Sequence, residues 1–170
     1  MNKTLTIIRH AKADWPDSIE DFDRPLLARG ESDAVLMGEY LKELNYSFDA
    51  VLCSAARRAK ETLDKLQSVL LIDQKKIYFD YALYMTSVKS VINKIEDLPN
   101  TLNWVAIVGH NPTQTELCNY LANDNLSNLP TCGVYTITFP VNDWRAVGPG
   151  LGDTVSLVTP KMLKQKQNGV

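Results

Sequence analysis

Short apolar runs alternate along this 170-residue chain with segments whose apolar residues recur at helical spacing. The runs are predicted strands at residues 5–8, 48–53, 77–79, 104–108, 134–139, 144–147 and 155–158. Strands that alternate with helices favour a parallel sheet. The pattern therefore predicts an α/β three-layer sandwich with a mostly parallel central sheet and helices on both faces, in which a closing strand is antiparallel.

The predicted helices begin at recognisable start signals. One runs from Glu31 to about Asn45, and two others follow Ser54 and Ser87, which are both suited to cap a helix. Asn111-Pro112 combines a favoured N-cap with a proline at the first helical position. Each of the helices after Ser54 and Asn111 directly follows a predicted strand, so their N-termini are expected at the carboxyl edge of the sheet.

Composition and charge exclude several kinds of partner. The chain has 18 Lys and Arg residues against 20 Asp and Glu residues, a net charge of −2, and nothing in this balance favours nucleic acid or a membrane surface. Its length suits one domain, predicted at residues 1–160. The basic and polar tail at residues 161–170 is expected to be solvated or frayed.

The cysteines and the N-terminal residues predict a compartment. Three cysteines, Cys53, Cys118 and Cys132, are odd in number and show no CxxC spacing, which is typical of reduced thiols. The N-terminus has no charged segment followed by a long apolar stretch, and no apolar run is long enough to span a membrane. We therefore expect a cytoplasmic protein.

The two histidines of the chain both end an apolar run. His10 follows Arg9 at the end of the first predicted strand, and His110 follows Gly109 at the end of another. Ligands of open α/β sheets bind outside the carboxyl ends of the strands. Both imidazoles are therefore expected at one edge of the sheet, although either histidine alone is more typical of an ordinary hydrogen-bonded turn residue.

A third strand end adds a cation to this edge. Arg57 lies where the strand ending near Ser54 passes into a helix, and a helix N-terminus favours anions. Positive charge is disfavoured at that position, so Arg57 is expected to serve an anion, while Arg58 is expected to extend into solvent. Two arginines, two imidazoles and two helix N-termini predict a pocket for a dianionic phosphoryl group.

Three short motifs carry a resemblance to a known family: Arg9-His10, Ser54-x-x-Arg57-x-x-x-Glu61-Thr62 and Gly109-His110-Asn111-Pro112. They resemble the motifs of the histidine phosphatase superfamily, which has a phosphoglycerate mutase-like fold. The segments at residues 23–30 and 129–134 are similar to its small branch, the SixA-type phosphohistidine phosphatases.

The resemblance implies a role for each motif residue. His10 would attack phosphorus and form a phosphohistidine intermediate that water hydrolyses. Arg9 and Arg57 would hold the phosphoryl oxygens, and His110 would donate to one of them. His10 is expected to stay neutral near pH 7, because adjacent arginines disfavour its protonation. No metal or other cofactor is expected, because the histidines lack Cys or carboxylate residues at ligand spacing.

One position departs from the family pattern. Many relatives carry a glutamate that protonates the leaving group, and here Ala82 falls at that position. An alkoxide leaving group needs such an acid, whereas imidazole can depart as a neutral ring. The expected substrate is therefore phosphohistidine on a protein, with a small phosphorylated molecule as the alternative. The residues that could replace the acid are Asp14, Asp21, Asp23 and Asp80.

The long loop from Ala11 to Leu26 lies beside the predicted nucleophile, where a substrate would rest. Trp15 and Arg24 on this loop are predicted substrate-binding residues, together with Ser54 and Asn111 from the motifs. Arg24 is followed by a proline and could equally pair with a neighbouring aspartate.

Three other functions remain open at this stage. A small-molecule phosphomonoesterase would use the same residues on another substrate. A mutase of the phosphoglycerate type shares the nucleophile, but it needs lid segments and an acid. A non-catalytic module could bind phosphorylated protein through the same basic pocket, although all the predicted core residues are present.

Overall fold

A computed structural model describes residues 2–169, so that Met1 of the predicted domain and Val170 of the predicted tail lie outside the described residues. Six strands form one sheet: β1 (Lys3–Arg9), β2 (Ala50–Ser54), β3 (Ile77–Asp80), β4 (Trp104–Gly109), β5 (Val134–Phe139) and β6 (Asp153–Val158). Their spatial order is β3-β2-β4-β1-β5-β6.

Strand pairing in this sheet changes direction at β1. The pairs β3–β2, β2–β4 and β4–β1 are parallel, while β1–β5 and β5–β6 are antiparallel. Arg9 lies opposite Gly109, and the backbone N–H of His10 donates to the Gly109 carbonyl at 3.0 Å. The two histidines therefore leave adjacent parallel strands at the same edge, as the sequence predicts.

Five helices cover the two faces of the sheet: α1 (Ala28–Glu43), α2 (Arg57–Leu70), α3 (Val88–Glu96), α4 (Thr113–Ala122) and α5 (Pro160–Asn168). Successive residues of β1 point to opposite faces of the sheet and belong to separate hydrophobic cores. Ile8 belongs to a cluster with Met37 of α1 and Leu63 of α2, whereas Ile7 belongs to a cluster with Ile95 of α3 and Leu117 of α4. The predicted three-layer α/β sandwich is confirmed.

Two predicted elements differ in the structure. Residues 144–147 were expected as a strand, but Trp144–Ala146 is a 3₁₀ helix whose first turn is capped by Asp143. The Trp144 ring is fully buried, and its indole N–H donates to the Leu102 carbonyl at 2.8 Å. A single anchored aromatic residue thus gave this segment its strand-like apolar character.

The polar tail is also a correction, because residues 160–168 form helix α5 rather than a frayed end, although most of its side chains are exposed to solvent as expected. Thr159 caps it by accepting from the Met162 N–H, and Pro160 occupies the first turn. Leu163 is buried in the core shared with α1 and α2, and Lys164 pairs with the buried Asp33 of α1 at 2.5 Å. One apolar side chain and one ion pair attach this helix to the sandwich.

Helix starts shift modestly from prediction. Helix α1 begins at Ala28, earlier than the predicted Glu31, and α4 begins at Thr113 with Pro112 at its N-cap. The predicted cap at Ser87 is confirmed, since its hydroxyl accepts from the Ser90 N–H at 3.2 Å. Among residues 2–169, every helix falls short of the length and apolar character that a membrane crossing requires.

Candidate active site

His10 is held as a neutral ring in one tautomer at the end of β1. Its side chain is buried, and Nδ1 lies 2.8 Å from the Ala11 carbonyl oxygen. Because a carbonyl only accepts, Nδ1 must carry the proton, which leaves a lone pair on Nε2. Nε2 accepts from Nε of Arg58 at 3.3 Å. The ring therefore presents an unprotonated nitrogen beside a guanidinium group.

The protonation state of His10 has burial as its main cause. Burial is the largest of the causes that lower its pKa to about 3; the Ala11 hydrogen bond opposes the shift, and the charges of His110, Arg58 and Arg9 add smaller contributions to it. Neutrality was expected from adjacent arginines alone. The direction of that expectation is confirmed, although the arginines are the smaller cause.

His110 lies beside His10, with the ring centroids 5.1 Å apart. Its Nε2 is 2.7 Å from Ser54 Oγ, which already accepts the Ala56 N–H at 3.3 Å. The Ser54 oxygen keeps a second lone pair, so this bond is compatible with either tautomer of His110, whose other ring nitrogen is Nδ1. This nitrogen is buried and has no hydrogen-bond partner within residues 2–169. Burial and, secondarily, the Arg58 charge lower the His110 pKa to about 4.

The structure places Arg58, rather than Arg57, in the pocket. Arg57 pairs with Glu61 at 2.6 Å on the outer face of α2, and its side chain is 51% exposed. Arg58 is only 6% exposed and contacts both His10 and Asp21. Successive helical residues differ by about 100° in direction, so a shift of one residue exchanges the solvent face for the site face. The prediction that Arg57 binds the anion was wrong, because the face of α2 that meets the cavity begins one residue later, at Arg58.

A signal in the sequence could have identified Arg58. Counting back from the core residue Leu66 in steps of four reaches Thr62 and then Arg58, and all three are buried. Thr62 is the last residue of the motif that begins at Ser54. Its hydroxyl donates to the Arg58 carbonyl at 2.7 Å and accepts the Ala11 N–H at 2.9 Å. Thr62 therefore connects the arginine to the segment that fixes the His10 ring.

Arg9 supplies the second cation of the cavity. Its Nη1 donates to the Leu129 carbonyl at 3.0 Å, while its buried Nε has no hydrogen-bond partner in the described part of the chain. Asn111 also lines the cavity, but its side chain serves mainly the local structure. Its Nδ2 donates to the Leu129 carbonyl, and its Oδ1 accepts from the Thr115 N–H and hydroxyl in the first turn of α4.

Asp21, on the loop after β1, joins the remaining polar groups of the cavity. One of its carboxylate oxygens accepts from Arg24 at 3.0 Å, and the other accepts from Arg58 at 3.1 Å and from the Tyr84 hydroxyl at 2.5 Å. Arg24 also stacks on the ring of Trp15, at 3.3 Å from the centroid, and Trp15 is 73% exposed at the mouth. The predicted pairing of Arg24 with a neighbouring aspartate is confirmed at Asp21, whereas the bonds of Asp21 to Arg58 and Tyr84 were not predicted.

Partners of Asp21 determine its charge. Although burial opposes the effect, hydrogen bonds from Tyr84 and Arg24 and the nearby charge of Arg58 lower its pKa to about 2. Asp21 is the only acidic residue among the described residues that line the cavity. Asp80, another substitute acid, pairs instead with Lys94 at 2.6 Å, and Ala82 is exposed on a 3₁₀ turn. The cavity therefore holds an ionised clamp and no carboxylic acid.

Gln114 of α4 holds the two histidine-bearing strands together. Its Nε2 donates to the Ile8 carbonyl of β1 at 2.9 Å and to the Ile107 carbonyl of β4 at 3.1 Å. A Cβ atom on Gly109 would lie 3.2 Å from this amide, so the glycine leaves room for it. No sequence pattern points to Gln114, because its partners are backbone atoms of distant strands.

Together these side chains surround a cavity of about 620 Å³. The predicted site residues that line it are Arg9, His10, Trp15, Arg24, His110 and Asn111. Ser54 lies behind His110, Arg57 lies outside, and Arg58 and Lys12 complete the cations. Two imidazoles without charge and several fixed guanidinium groups make a site that favours a compact anion. No group of three or more potential metal ligands occurs among residues 2–169.

Paired imidazoles and arginines at the carboxyl edge of the parallel strands define an α/β sandwich with a site suited to a compact anion. The sequence profile of the histidine phosphatase superfamily (branch 1) matches residues 5–77. An uncharacterized protein of Mycobacterium tuberculosis is 34% identical over 164 residues, which cover 91% of this chain and all of that protein. The chain belongs to the histidine phosphatase superfamily, whose members are phosphatases and mutases.

Solved structures share this phosphoglycerate mutase-like fold. The protein histidine phosphatase SixA complexed with tungstate has a TM-score of 0.81 at 23% identity, over 94% of this chain and 99% of that one. SixA from Agrobacterium tumefaciens has a TM-score of 0.79 at 24% identity, over 93% of this chain and 99% of that one. The resemblance inferred from the motifs is confirmed for the superfamily, and the SixA-type proteins share its fold.

Proposed function

We propose that this protein is a phosphohistidine phosphatase that acts on phosphorylated proteins through a covalent intermediate on His10. The observation that carries the proposal is the state of the His10 ring. The ring is neutral, its Nδ1–H donates to the Ala11 carbonyl, and its Nε2 accepts a hydrogen bond from Arg58. A nucleophile prepared in this way needs no separate base to remove a proton.

In the first step, the Nε2 lone pair of His10 gives up its hydrogen bond from Arg58 Nε and attacks phosphorus as the bond from phosphorus to the substrate nitrogen breaks. Arg9 and Arg58 would hold the phosphoryl oxygens, since both have guanidinium N–H groups beyond those bonded to protein. The Nδ1–H of His110 would donate to a third oxygen. These donors stabilise the charge that is spread over the oxygens in the transition state.

The leaving group limits the choice of substrate. An alkoxide must be protonated as it leaves, and general acid catalysis is worth about 10² to 10⁴ in rate. Asp21 cannot supply that proton, because its two arginine partners and Tyr84 keep it ionised. A substrate imidazole whose second nitrogen carries a proton takes up the electron pair and departs as a neutral ring. Phosphohistidine therefore suits this cavity better than an alkyl phosphate.

In the second step, water attacks the phosphorus of phospho-His10. The electron pair of the P–N bond returns to Nε2, and inorganic phosphate and one proton are released. Neither step draws on a metal or another cofactor, so we propose that activity survives treatment with a chelator. We also place the enzyme in the cytoplasm, an assignment supported by three buried cysteines that are free of disulfides.

The test is to trap the phosphoenzyme. Wild-type protein is incubated with ³²P-labelled phosphohistidine peptide, quenched in alkali and separated on a gel. We expect label that is stable in alkali and lost in acid, and its absence in His10→Ala. The Arg57→Ala protein is the matched control and keeps the label, since Arg57 lies outside the cavity. A wild-type protein that binds the peptide without labelling or phosphate release would instead be a non-catalytic module.

A second measurement separates the enzymatic alternatives. Release of inorganic phosphate from the peptide, with little turnover of alkyl phosphates, supports the proposal. Equal rates on both substrates would identify a general phosphomonoesterase with an acid that we have not located. Recovery of an isomerised phosphoester from phosphoglycerate would identify a mutase.

A further inference from the structure

A second depression adjoins the active-site cavity and differs from it in chemistry. It is an open groove of about 530 Å³ between the first turns of α1 and α5 and the segment before β5. Lys12 and Thr131 line both the groove and the cavity. The groove therefore begins where the substrate-binding cavity ends, only two residues after His10 in the chain.

The side chains of the groove are predominantly basic. Its cations are Lys12, Arg29, Lys161 and Lys164, and its one carboxylate is Asp33. Asp33 is buried and paired with Lys164 at 2.5 Å, so its charge is compensated within the protein. Lys12, Arg29 and Lys161 are exposed and form no ion pair within residues 2–169.

The positions of two of these cations are locally unfavourable. Arg29 lies in the first turn of α1 and Lys161 in the first turn of α5, where the helix dipole repels positive charge. The nearby Glu31 does not relieve this charge, because it pairs with Lys65 of α2 at 3.4 Å. Three uncompensated cations and two helix N-termini thus meet in one groove of a chain whose net charge is −2.

A loop that borders the cavity also carries negative charge. The loop between β1 and α1 carries four exposed acidic residues: Asp14, Asp17, Glu20 and Asp23. A partner approaching the cavity therefore meets this negative loop as well as the positive groove. Such an arrangement orients a charged partner and suppresses the reversed approach.

We propose that this basic groove docks an acidic surface of the protein substrate next to its phosphorylated histidine. The inference rests on the proposed function, since it concerns the recognition of that substrate. A substrate with Asp or Glu residues beside the phosphohistidine fills the groove, while the phosphoryl group occupies the cavity. Lys12 belongs to both sites and connects the two contacts.

The experiment compares two phosphohistidine peptides, one with glutamate flanks and one with serine flanks, and uses phosphoramidate as a small substrate. At low salt we expect kcat/KM of the wild-type protein to be about tenfold higher for the glutamate peptide, mainly through KM. The preference should shrink as salt is raised to 0.5 M, because these contacts are exposed.

The decisive variant is Arg29→Glu combined with Lys161→Glu. It should abolish the preference for the glutamate peptide and change phosphoramidate turnover by less than twofold. Lys166→Glu is the matched control, because Lys166 is also exposed on α5 but lies outside the groove. It should keep the preference. Lys164 is left unchanged, since its pairing with Asp33 helps to hold α5.

Any one of three results would overturn the docking proposal. The first is equal kcat/KM for both peptides in the wild type, and the second is a parallel loss of phosphoramidate turnover in the double variant. The third is binding of single-stranded DNA or anionic vesicles at the groove that is tighter than binding of the glutamate peptide. If wild-type protein hydrolyses no phosphohistidine peptide, the proposed function fails by itself. The groove is then tested by fluorescence anisotropy with the unphosphorylated glutamate peptide. Binding that is lost in the double variant and kept in Lys166→Glu supports docking, and no binding overturns it.

Discussion

The first turn of α2 has two faces that carry the same residue type and serve opposite purposes. On the inner face, Arg58 is 6% exposed and contacts His10, and Thr62 one turn later fixes the neighbouring backbone. On the outer face, Arg57 is half exposed and pairs with Glu61 one turn later. Residue type therefore does not reveal which of the two arginines is placed to bind an anion. Burial and the partners of each guanidinium do.

The largest expected effect separates the two arginines. Arg58→Ala should lower kcat/KM for a phosphohistidine peptide by about 10³-fold or more, because a fixed cation is lost where charge develops. Arg57→Ala should lower it by less than threefold, since it removes only an exposed ion pair worth about 0.5 kcal/mol. Steady-state kinetics on both purified variants measures the ratio. Comparable losses would show that the two faces are not functionally distinct.

A smaller effect is expected one turn further along each face. Thr62→Val leaves the buried Ala11 N–H without its acceptor, which costs about 1–3 kcal/mol of the free energy of unfolding. Because the Ala11 carbonyl orients His10, kcat should also fall, by about tenfold. Glu61→Gln retains an oxygen for the Leu26 N–H and should cost less than about 1 kcal/mol.

Urea denaturation measures the free energy of unfolding of Thr62→Val and Glu61→Gln, and steady-state kinetics measures their kcat. A Glu61→Gln protein with the larger loss of kcat would reverse the roles assigned to the two faces.

The smallest effect concerns the pKa of His10. The Arg58 charge lowers this pKa, so Arg58→Ala should raise it above about 3, while burial still keeps it below about 6.5. Arg57→Ala should leave it unchanged. The chain has only two histidines, so their imidazole resonances can be followed by NMR. Identical His10 titrations in both variants would contradict the proximity of Arg58 to the ring.

The lowered pKa of His10 also predicts how the free energy of unfolding changes with pH. His10 has a pKa near 3 when folded and near 6.5 when unfolded, so the unfolded chain binds more protons between these values. The free energy of unfolding should therefore fall as pH is lowered from 6.5, by at most about 1.4 kcal/mol per pH unit for this residue. Denaturation at pH 7, 6 and 5 should show a shallower decline in Arg58→Ala than in Arg57→Ala.

Much of the fold could be predicted from local patterns. Ile7 and Ile8 belong to a short apolar run between polar segments, and the sheet buries one on each face. The ends of β1 and β4 bring His10 and His110 to one edge because parallel strands share a direction. The segments at Trp144–Ala146 and Pro160–Asn168 differ from their predictions. A single large aromatic residue and one leucine gain their burial from distant partners that no local window contains.

The amino-acid order alone specifies the alternation of strands and helices, the positions of both histidines at strand ends and the set of cations near them. These follow from hydrophobic periodicity and from residue order, which are local properties. Tertiary packing sets which arginine faces the cavity, because that depends on how α2 is rotated against the sheet. It also decided that Asp21 binds two arginines and stays ionised, since its partners come from three separate segments and its charge depends on their distances.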